Sequence, residues 1–395
     1  MNVSERSSTI SYAIRDVVEY ARKLESKGDK ILKLNIGDPL KFDFKTPEPM
    51  VDAIINAARG SYNGYEDSLG NTELRRVIAE RESKNNGKIY LEDVVVTSGV
   101  TEGVNLVFGA TLEPGDEVLV PGPGYPTYTA YATFFGATPV PYRTIEKDGW
   151  NIDVQDLKSK ITERTKCIVI INPNNPTGAI YPKKTLKEIL DIAIEHDLFI
   201  ISDEIYDRIT FDDSFVSSAS MTDEVPIITF NGISKIYLAP GWRVGYMAFY
   251  NWDTLFDIKE GIMKELRARI SANSICQAGA IEAYKGSEKY VLEMVSKLKQ
   301  RSEFAYKRLN EISGISTTKP MGGLYIFPKI DLDKRWKDDK EFVYEFLKMK
   351  KVLLVHGSGF CPIYGKDHFR SVFLPPIDTM EEAFSRLEDF MKTKK

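Results

Sequence analysis

Six short apolar runs alternate with helix-like stretches through the middle of this chain, and that alternation narrows the fold more than any other feature. The runs are residues 94–96, 117–120, 167–171, 198–202, 227–231 and 245–249. Short runs of this kind, separated by amphipathic helices, indicate βαβ units, so an α/β fold with a mostly parallel central sheet is expected. One helix start is expected at Thr46, with Pro47 in the first helical position. Another is expected at Thr185, with Glu188 three residues on completing a capping box. Residues 118–142 carry no formal charge, yet prolines 121, 123, 126, 139 and 141 and glycines 122, 124 and 136 interrupt them. A membrane helix cannot tolerate so many breaks. The stretch reads as strand, turn, short helix and strand, buried in protein or facing a bound group.

After about residue 285 the texture changes. Residues 287–312 read as one long amphipathic helix closed by Gly314. Strand-like segments at 323–327, 352–355 and 368–374 and a terminal helix follow. This α+β layout is expected to form a smaller C-terminal domain over 286–395, beside a large α/β domain over 46–285. Residues 1–45 have no place in the parallel sheet. They are expected to form an N-terminal arm and part of the small domain, packed there or against a partner subunit. A chain of 395 residues accommodates two domains.

Composition removes several classes of function. Lysine and arginine total 53 against 57 aspartate and glutamate, a net charge of −4, so nothing favours nucleic acid or an anionic membrane as partner. The basic end KTKK reads as a solvated helix end. Cys167, Cys276 and Cys361 are isolated, and His196, His356 and His368 lack metal-ligand spacing, so neither a disulfide framework nor a metal site is expected. The polar start MNVSERSSTISYAIRD has no apolar run of the secretory kind. A cytoplasmic, metal-free enzyme is the expectation.

In open α/β sheets, ligands sit at the carboxyl ends of the strands, so the residues after each apolar run are the candidates for chemistry. After the first run, Ser98-Gly99-Val100-Thr101 leads into a helix. Its N–H groups and the Thr101 hydroxyl suit an anion, although ordinary capping explains the pattern as well. After the third run comes NPNNPTG, a stiff loop projecting Asn172, Asn174 and Asn175, which is either a plain turn or a holder for a polar ring substituent. After the fourth, Asp203 follows an apolar strand and needs a cationic or N–H partner, or else caps the next turn. After the fifth, Lys235 is the only formal charge between Glu224 and Arg243. Most loop lysines are simply solvated, but an isolated one is a candidate for Schiff-base chemistry. Arg243 follows in a Gly-rich turn and can meet a phosphate in bidentate fashion. Taken together, an anion-binding helix start, a buried carboxylate, a loop amide, a desolvated lysine and an arginine meet the requirements of pyridoxal 5'-phosphate (PLP).

The motifs LNIGDPLKFDF, VPGPGYPTY, INPNNPTGA, ISDEIYD, NGISKIYLAPGWRVGYM and HGSGF followed by HFRSVFLPP carry a resemblance over essentially the whole chain. The sequence resembles the class I/II PLP aminotransferases of fold type I, most nearly the archaeal alanine aminotransferase group. The resemblance implies that Lys235 forms the internal aldimine and shuttles the proton, and that Asp203 pairs with the pyridine nitrogen. It implies Asn175 and Tyr206 on the phenolic oxygen and Tyr125 on the ring face. It assigns the phosphate to Val100, Thr101, Ser234 and Arg243, with Tyr65 reaching it from the neighbouring subunit of a homodimer with shared active sites. Arg370 matches the arginine that forks onto the substrate α-carboxylate, and Gly37 adds a backbone N–H there.

The implied reaction is ping-pong transamination between an amino acid, with alanine preferred, and a 2-oxo acid such as 2-oxoglutarate. Two departures from the pattern stand out. Gly232 occupies the position, three before the lysine, where many relatives carry Ser. Many dicarboxylate-specific relatives carry a second arginine from the partner subunit for the distal carboxylate. Arg267 and Arg269 lie in a plausible region, but no motif assigns either, and both are read as surface or interhelical arginines. The rivals are an aspartate or aromatic aminotransferase and, from another class, a sensor that keeps the cofactor fold without catalysis. A sensor of that type carries a DNA-binding extension, for which this sequence leaves no room.

Overall fold

The computed structural model describes residues 3–8, 10, 13–212, 215–333 and 335–393. Lys394 and Lys395, half of the basic KTKK end, lie outside them. The strands in chain order begin with β1 (Leu32–Lys33), β2 (Val94–Thr97), β3 (Glu117–Gly122), β4 (Thr138–Ile145) and β5 (Asn151–Ile152). Next come β6 (Thr165–Ile171), β7 (Phe199–Asp203), β8 (Ile227–Gly232) and β9 (Gly245–Tyr250). The C-terminal part adds β10 (Ile315–Ser316), β11 (Tyr325–Ile326), β12 (Lys329–Ile330), β13 (Val352–Leu353), β14 (Val355–His356) and β15 (Phe369–Val372).

All six apolar runs are strands of one eight-stranded sheet, in the order β2-β9-β8-β7-β6-β3-β4-β5. The pairs β3–β4, β3–β6, β6–β7 and β7–β8 are parallel, whereas β9 runs antiparallel to both β2 and β8. Alternate residues of a strand face opposite sides of a sheet. Accordingly Ile168, Ile170 and Ile200 enter one apolar core, while Cys167, Val169, Ile171, Phe199 and Ile201 enter the other. Both faces are covered, which is why these strands read as continuous apolar runs.

The uncharged stretch 118–142 folds as expected into β3, the helix Pro126–Phe134 and the start of β4. Two helix starts differ from expectation. The first helix runs Glu48–Arg59 with Pro47 at its cap, and the Thr46 hydroxyl instead donates to the Leu238 carbonyl at 2.6 Å. The second begins at Lys183, so Thr185 is already inside it and donates to Asn151 Oδ1 at 3.0 Å. In both cases a distant acceptor outcompetes the local cap.

In the C-terminal part, the helix Lys289–Asn310 is followed by a three-stranded sheet in the order β11-β15-β14. The early residues join this part: β1 pairs in parallel with β13, and Val372 N–H donates to the Leu34 carbonyl. That pairing carries residues 35–38 across to the carboxyl edge of the large sheet. Among the described residues no helix is long and apolar enough to cross a membrane.

Candidate active site

A cavity of about 540 Å³ opens at the carboxyl ends of the parallel strands, within the usual size range of small-molecule sites. It gathers residues from six sequence motifs that are far apart in the chain. Asp203 ends β7 and is buried at its floor. Asp203 Oδ2 accepts from the Tyr128 hydroxyl at 2.8 Å, and Oδ1 accepts from Ile205 N–H at 3.2 Å. Burial pushes this carboxyl up to about 6, against the hydrogen bonds and the Lys235 charge that favour ionisation. A cationic partner placed in the cavity would bring it back down.

Lys235 Nζ donates to the Gly37 carbonyl at 2.7 Å, so the lysine reaches across the cavity to the strand-end segment 35–38. Tyr206 stands beside it, its hydroxyl 3.0 Å from that of Tyr325. Burial, then the neighbouring Tyr325, holds the Tyr206 phenol well above its ordinary pKa, so it stays a neutral donor.

The NPNNPTG loop divides its three asparagines between structure and site. Asn172 Oδ1 accepts from Tyr181 N–H, and Asn174 bonds Thr177 and the Tyr181 hydroxyl. Those two close the loop, contrary to the expectation that all three project. Asn175 alone of the three lines the cavity. Its Oδ1 accepts from Arg370 Nη1 at 2.9 Å, which turns its N–H₂ group the other way. Arg370, 1% exposed, also donates to the Asn35 carbonyl at 2.5 Å and lies over the rings of Tyr325 and Phe360.

The opposite end of the cavity suits an anion. Gly99, at φ +78°, precedes the helix Val100–Thr111, whose first residues Val100 and Thr101 line the wall. Arg243 packs so closely that a Cβ on Gly99 would fall 2.3 Å from its guanidinium. Ser234 completes this end, and Tyr125 borders the middle of the cavity.

Known proteins resemble this chain over nearly its whole length. The profile of the family described as aminotransferase class I and II matches residues 29–387. The chain belongs to that family. It is 38% identical to the alanine aminotransferase of Mycobacterium tuberculosis, over 98% of this chain and 92% of that one. It is 39% identical to the glutamate-pyruvate aminotransferase of Escherichia coli, over 98% and 97%. Among solved structures, the alanine aminotransferase of Pyrococcus furiosus superposes with a TM-score of 0.97 at 53% identity, covering 99% of this chain and all of that one.

As an aminotransferase of this family the protein depends on PLP, and its donor set fits that group. A buried carboxylate, a lysine, two neutral donors and a helix start beside an arginine all line one cavity, the kinds of group that the cofactor's functional groups require. The expected Ser of many relatives has no room at Gly232. A Cβ there would fall 2.7 Å from the Val244 carbonyl and 2.8 Å from Gly245 Cα, because the two glycines face each other across β8 and β9.

Tyr65 is 86% exposed and takes no part in the cavity of its own subunit. Arg267 is exposed and pairs with Glu260 at 3.0 Å. Arg269 is more enclosed than a surface residue. It donates to the Ser68 and Val96 carbonyls at 3.1 and 3.2 Å, tying the loop before the helix Thr72–Asn85 to β2. Neither lines the cavity of its own subunit. The sequence reading missed Tyr128, Tyr325 and the Asn35 carbonyl. Tyr128 was findable, since in PGPGYPTY it stands one helical turn beyond Tyr125.

Proposed function

We propose that this aminotransferase exchanges the amino group between alanine and 2-oxoglutarate in a ping-pong sequence. The observation that carries the choice of alanine is the cation census of the cavity. Among the described residues of the one subunit, its only cations are Lys235, Arg243 and Arg370. Each is accounted for by a group that every amino acid or the cofactor itself brings. Ile14 and Ile36 add apolar wall, which suits a methyl side chain. The names of the relatives, alanine and glutamate-pyruvate aminotransferase, support the same reading. Burying an unpaired carboxylate costs several kcal/mol, whereas alanine brings only a methyl group. The distal carboxylate of 2-oxoglutarate is accepted through a solvated or flexible polar contact, so alanine is preferred over aspartate and dicarboxylates are not excluded.

When bound, PLP supplies the electrophilic carbon and the electron sink. The chain's own residues do the rest in this reading. Lys235 Nζ would hold the cofactor and, once released from it, would take up and carry the proton of the substrate Cα. Asp203 holds the pyridine nitrogen protonated, assisted by Tyr128. Asn175 and Tyr206 donate to the phenolic oxygen, and Tyr125 covers the ring. Val100, Thr101, Ser234 and Arg243 hold the phosphate, joined by Tyr65 of the partner subunit in a homodimer. Arg370 forks onto the α-carboxylate beside the Gly37 N–H. We assign residues 46–285 to the cofactor-binding domain, 1–45 to an arm and part of the small domain, and 286–395 to the small domain. The enzyme works in the cytoplasm, without metal.

Mixing the cofactor-loaded protein with alanine or aspartate and following the cofactor absorbance gives the two half-reaction rates. Alanine is expected to react with the larger second-order rate constant. A clear advantage for aspartate that disappears on replacing Arg267 or Arg269 overturns the assignment in favour of a dicarboxylate enzyme.

A further inference from the structure

Tyr325 sits where three parts of the site meet, and no step described above uses it. It lies on β11, opposite Val372 of β15, and is 3% exposed. Its hydroxyl is 3.0 Å from the Tyr206 hydroxyl, and the two rings meet edge to face with centroids 5.9 Å apart. The Arg370 guanidinium lies over the Tyr325 ring, 4.3 Å from its centroid. On the third side the hydroxyl abuts Gly37, where a Cβ would fall 2.0 Å away. Thus a glycine is required at 37 because a phenol oxygen occupies the space beside it.

We propose that Tyr325 is a positioning residue that acts on the cofactor through Tyr206. This rests on the reading of Tyr206 as a donor to the phenolic oxygen. A hydroxyl has one proton. With the Tyr206 proton directed at the phenolic oxygen, the bond between the two tyrosines has to be supplied by the proton of Tyr325. The result is a directed chain from Tyr325 through Tyr206 to the ring oxygen. Donation into the Tyr206 oxygen polarises its O–H bond and makes it the stronger donor, an effect that grows in a buried, low-dielectric site. The same ring supports Arg370 from below. One side chain therefore joins the carboxylate clamp to the group that tunes the cofactor. A tyrosine that merely filled the space would be replaced by phenylalanine without electronic consequence.

The test is a pH titration of the visible band of the holoenzyme, since donors on the phenolic oxygen favour the deprotonated form and lower its midpoint. Four proteins are compared: wild type, Tyr206→Phe, Tyr325→Phe and the double variant. Tyr206→Phe is expected to raise the midpoint. Tyr325→Phe should raise it by less, roughly half a pH unit, and the double variant no further than Tyr206→Phe alone. A shift in Tyr206→Phe with none in Tyr325→Phe overturns the inference and leaves the proposed function standing. An additive shift in the double variant overturns the route through Tyr206. No shift in either single variant removes the role of Tyr206 and the inference with it. Tyr325→Leu, which also loses the face under Arg370, should raise the KM for alanine several-fold above that of Tyr325→Phe. Should Tyr325→Phe fail to fold, 3-fluorotyrosine at position 325 keeps the ring and hydroxyl and, as the more acidic donor, should lower the midpoint; an unmoved midpoint overturns the inference.

Discussion

The Tyr128 hydroxyl donates to Asp203 Oδ2 at 2.8 Å, joining the first turn of the helix Pro126–Phe134 to the end of β7. Both partners are buried, and the bond favours the ionised carboxylate that burial otherwise penalises. Without it, Asp203 would meet a cationic ring nitrogen with one supporting donor fewer.

Tyr128→Phe should therefore move the Asp203 carboxyl further above its already raised position near 6. Loss of a hydrogen bond to a charged group costs about 1.5–3 kcal/mol, so cofactor affinity should fall roughly ten- to a hundredfold. Equilibrium dialysis with PLP between pH 6 and 8 reads both the affinity and its pH dependence. An unchanged affinity profile would remove Tyr128 from the site.

Lys235→Ala removes the covalent anchor and the proton carrier together. Turnover should drop by at least about 10³-fold, while PLP still binds without a covalent bond. Borohydride reduction of the wild-type holoenzyme and peptide mapping provide the complementary check. A label on any lysine other than Lys235 refutes the assignment.

Arg370→Lys keeps the charge and loses the planar fork, the stacking over Tyr325 and Phe360, and the bond that orients Asn175. The KM values for alanine and for the 2-oxo acid should both rise, roughly ten- to a hundredfold, since one clamp serves both. Steady-state kinetics with each substrate varied in turn measures this. A rise for only one substrate contradicts a shared clamp.

The central sheet was legible because six of its eight strands are short apolar runs buried on both faces, and the strand ends followed from them. At those ends Lys235 stood out by contrast with its uncharged neighbours, and Asp203 as the carboxylate that closes an apolar strand. What the sequence hid depends on long-range contact. Tyr325 reaches Tyr206 across 119 residues, and only the pairing of β11 with β15 brings it there. Likewise Asn35 meets Arg370 through the β1–β13 pairing. Thr46 and Thr185 misled as caps because their hydroxyls found acceptors in other elements. Asn172 and Asn174 looked like site residues because an amide that closes a loop and one that faces a ligand have the same local sequence.

Glu204, next to Asp203 in ISDEIYD, points away from the cavity into a buried charged cluster. Its Oε1 accepts from the Ser202 and Ser217 hydroxyls, each at 2.8 Å. Nearby, Arg81 pairs with Glu82 and Asp207, and Glu82 accepts from the Tyr246 and Tyr250 hydroxyls. Burial, then the charges of Glu82 and Asp207, pushes the Glu204 carboxyl up to about 8, against the two serine bonds. It is therefore mostly protonated at neutral pH. A carboxyl whose pKa is higher folded than unfolded binds more protons in the native state. Its contribution to stability is complete below about pH 4.5 and is lost as the pH rises through about 8. Glu204→Gln keeps an oxygen for the two serines and has no proton to lose. The variant should match wild type in mild acid and exceed it at pH 9 by a few kcal/mol, with a flatter profile between. Denaturant melts of both proteins at pH 5, 7 and 9 compare them directly, because every other titrating group is common to the two. Parallel profiles would mean that Glu204 is ionised in the folded enzyme, with its charge compensated by the Arg81 cluster.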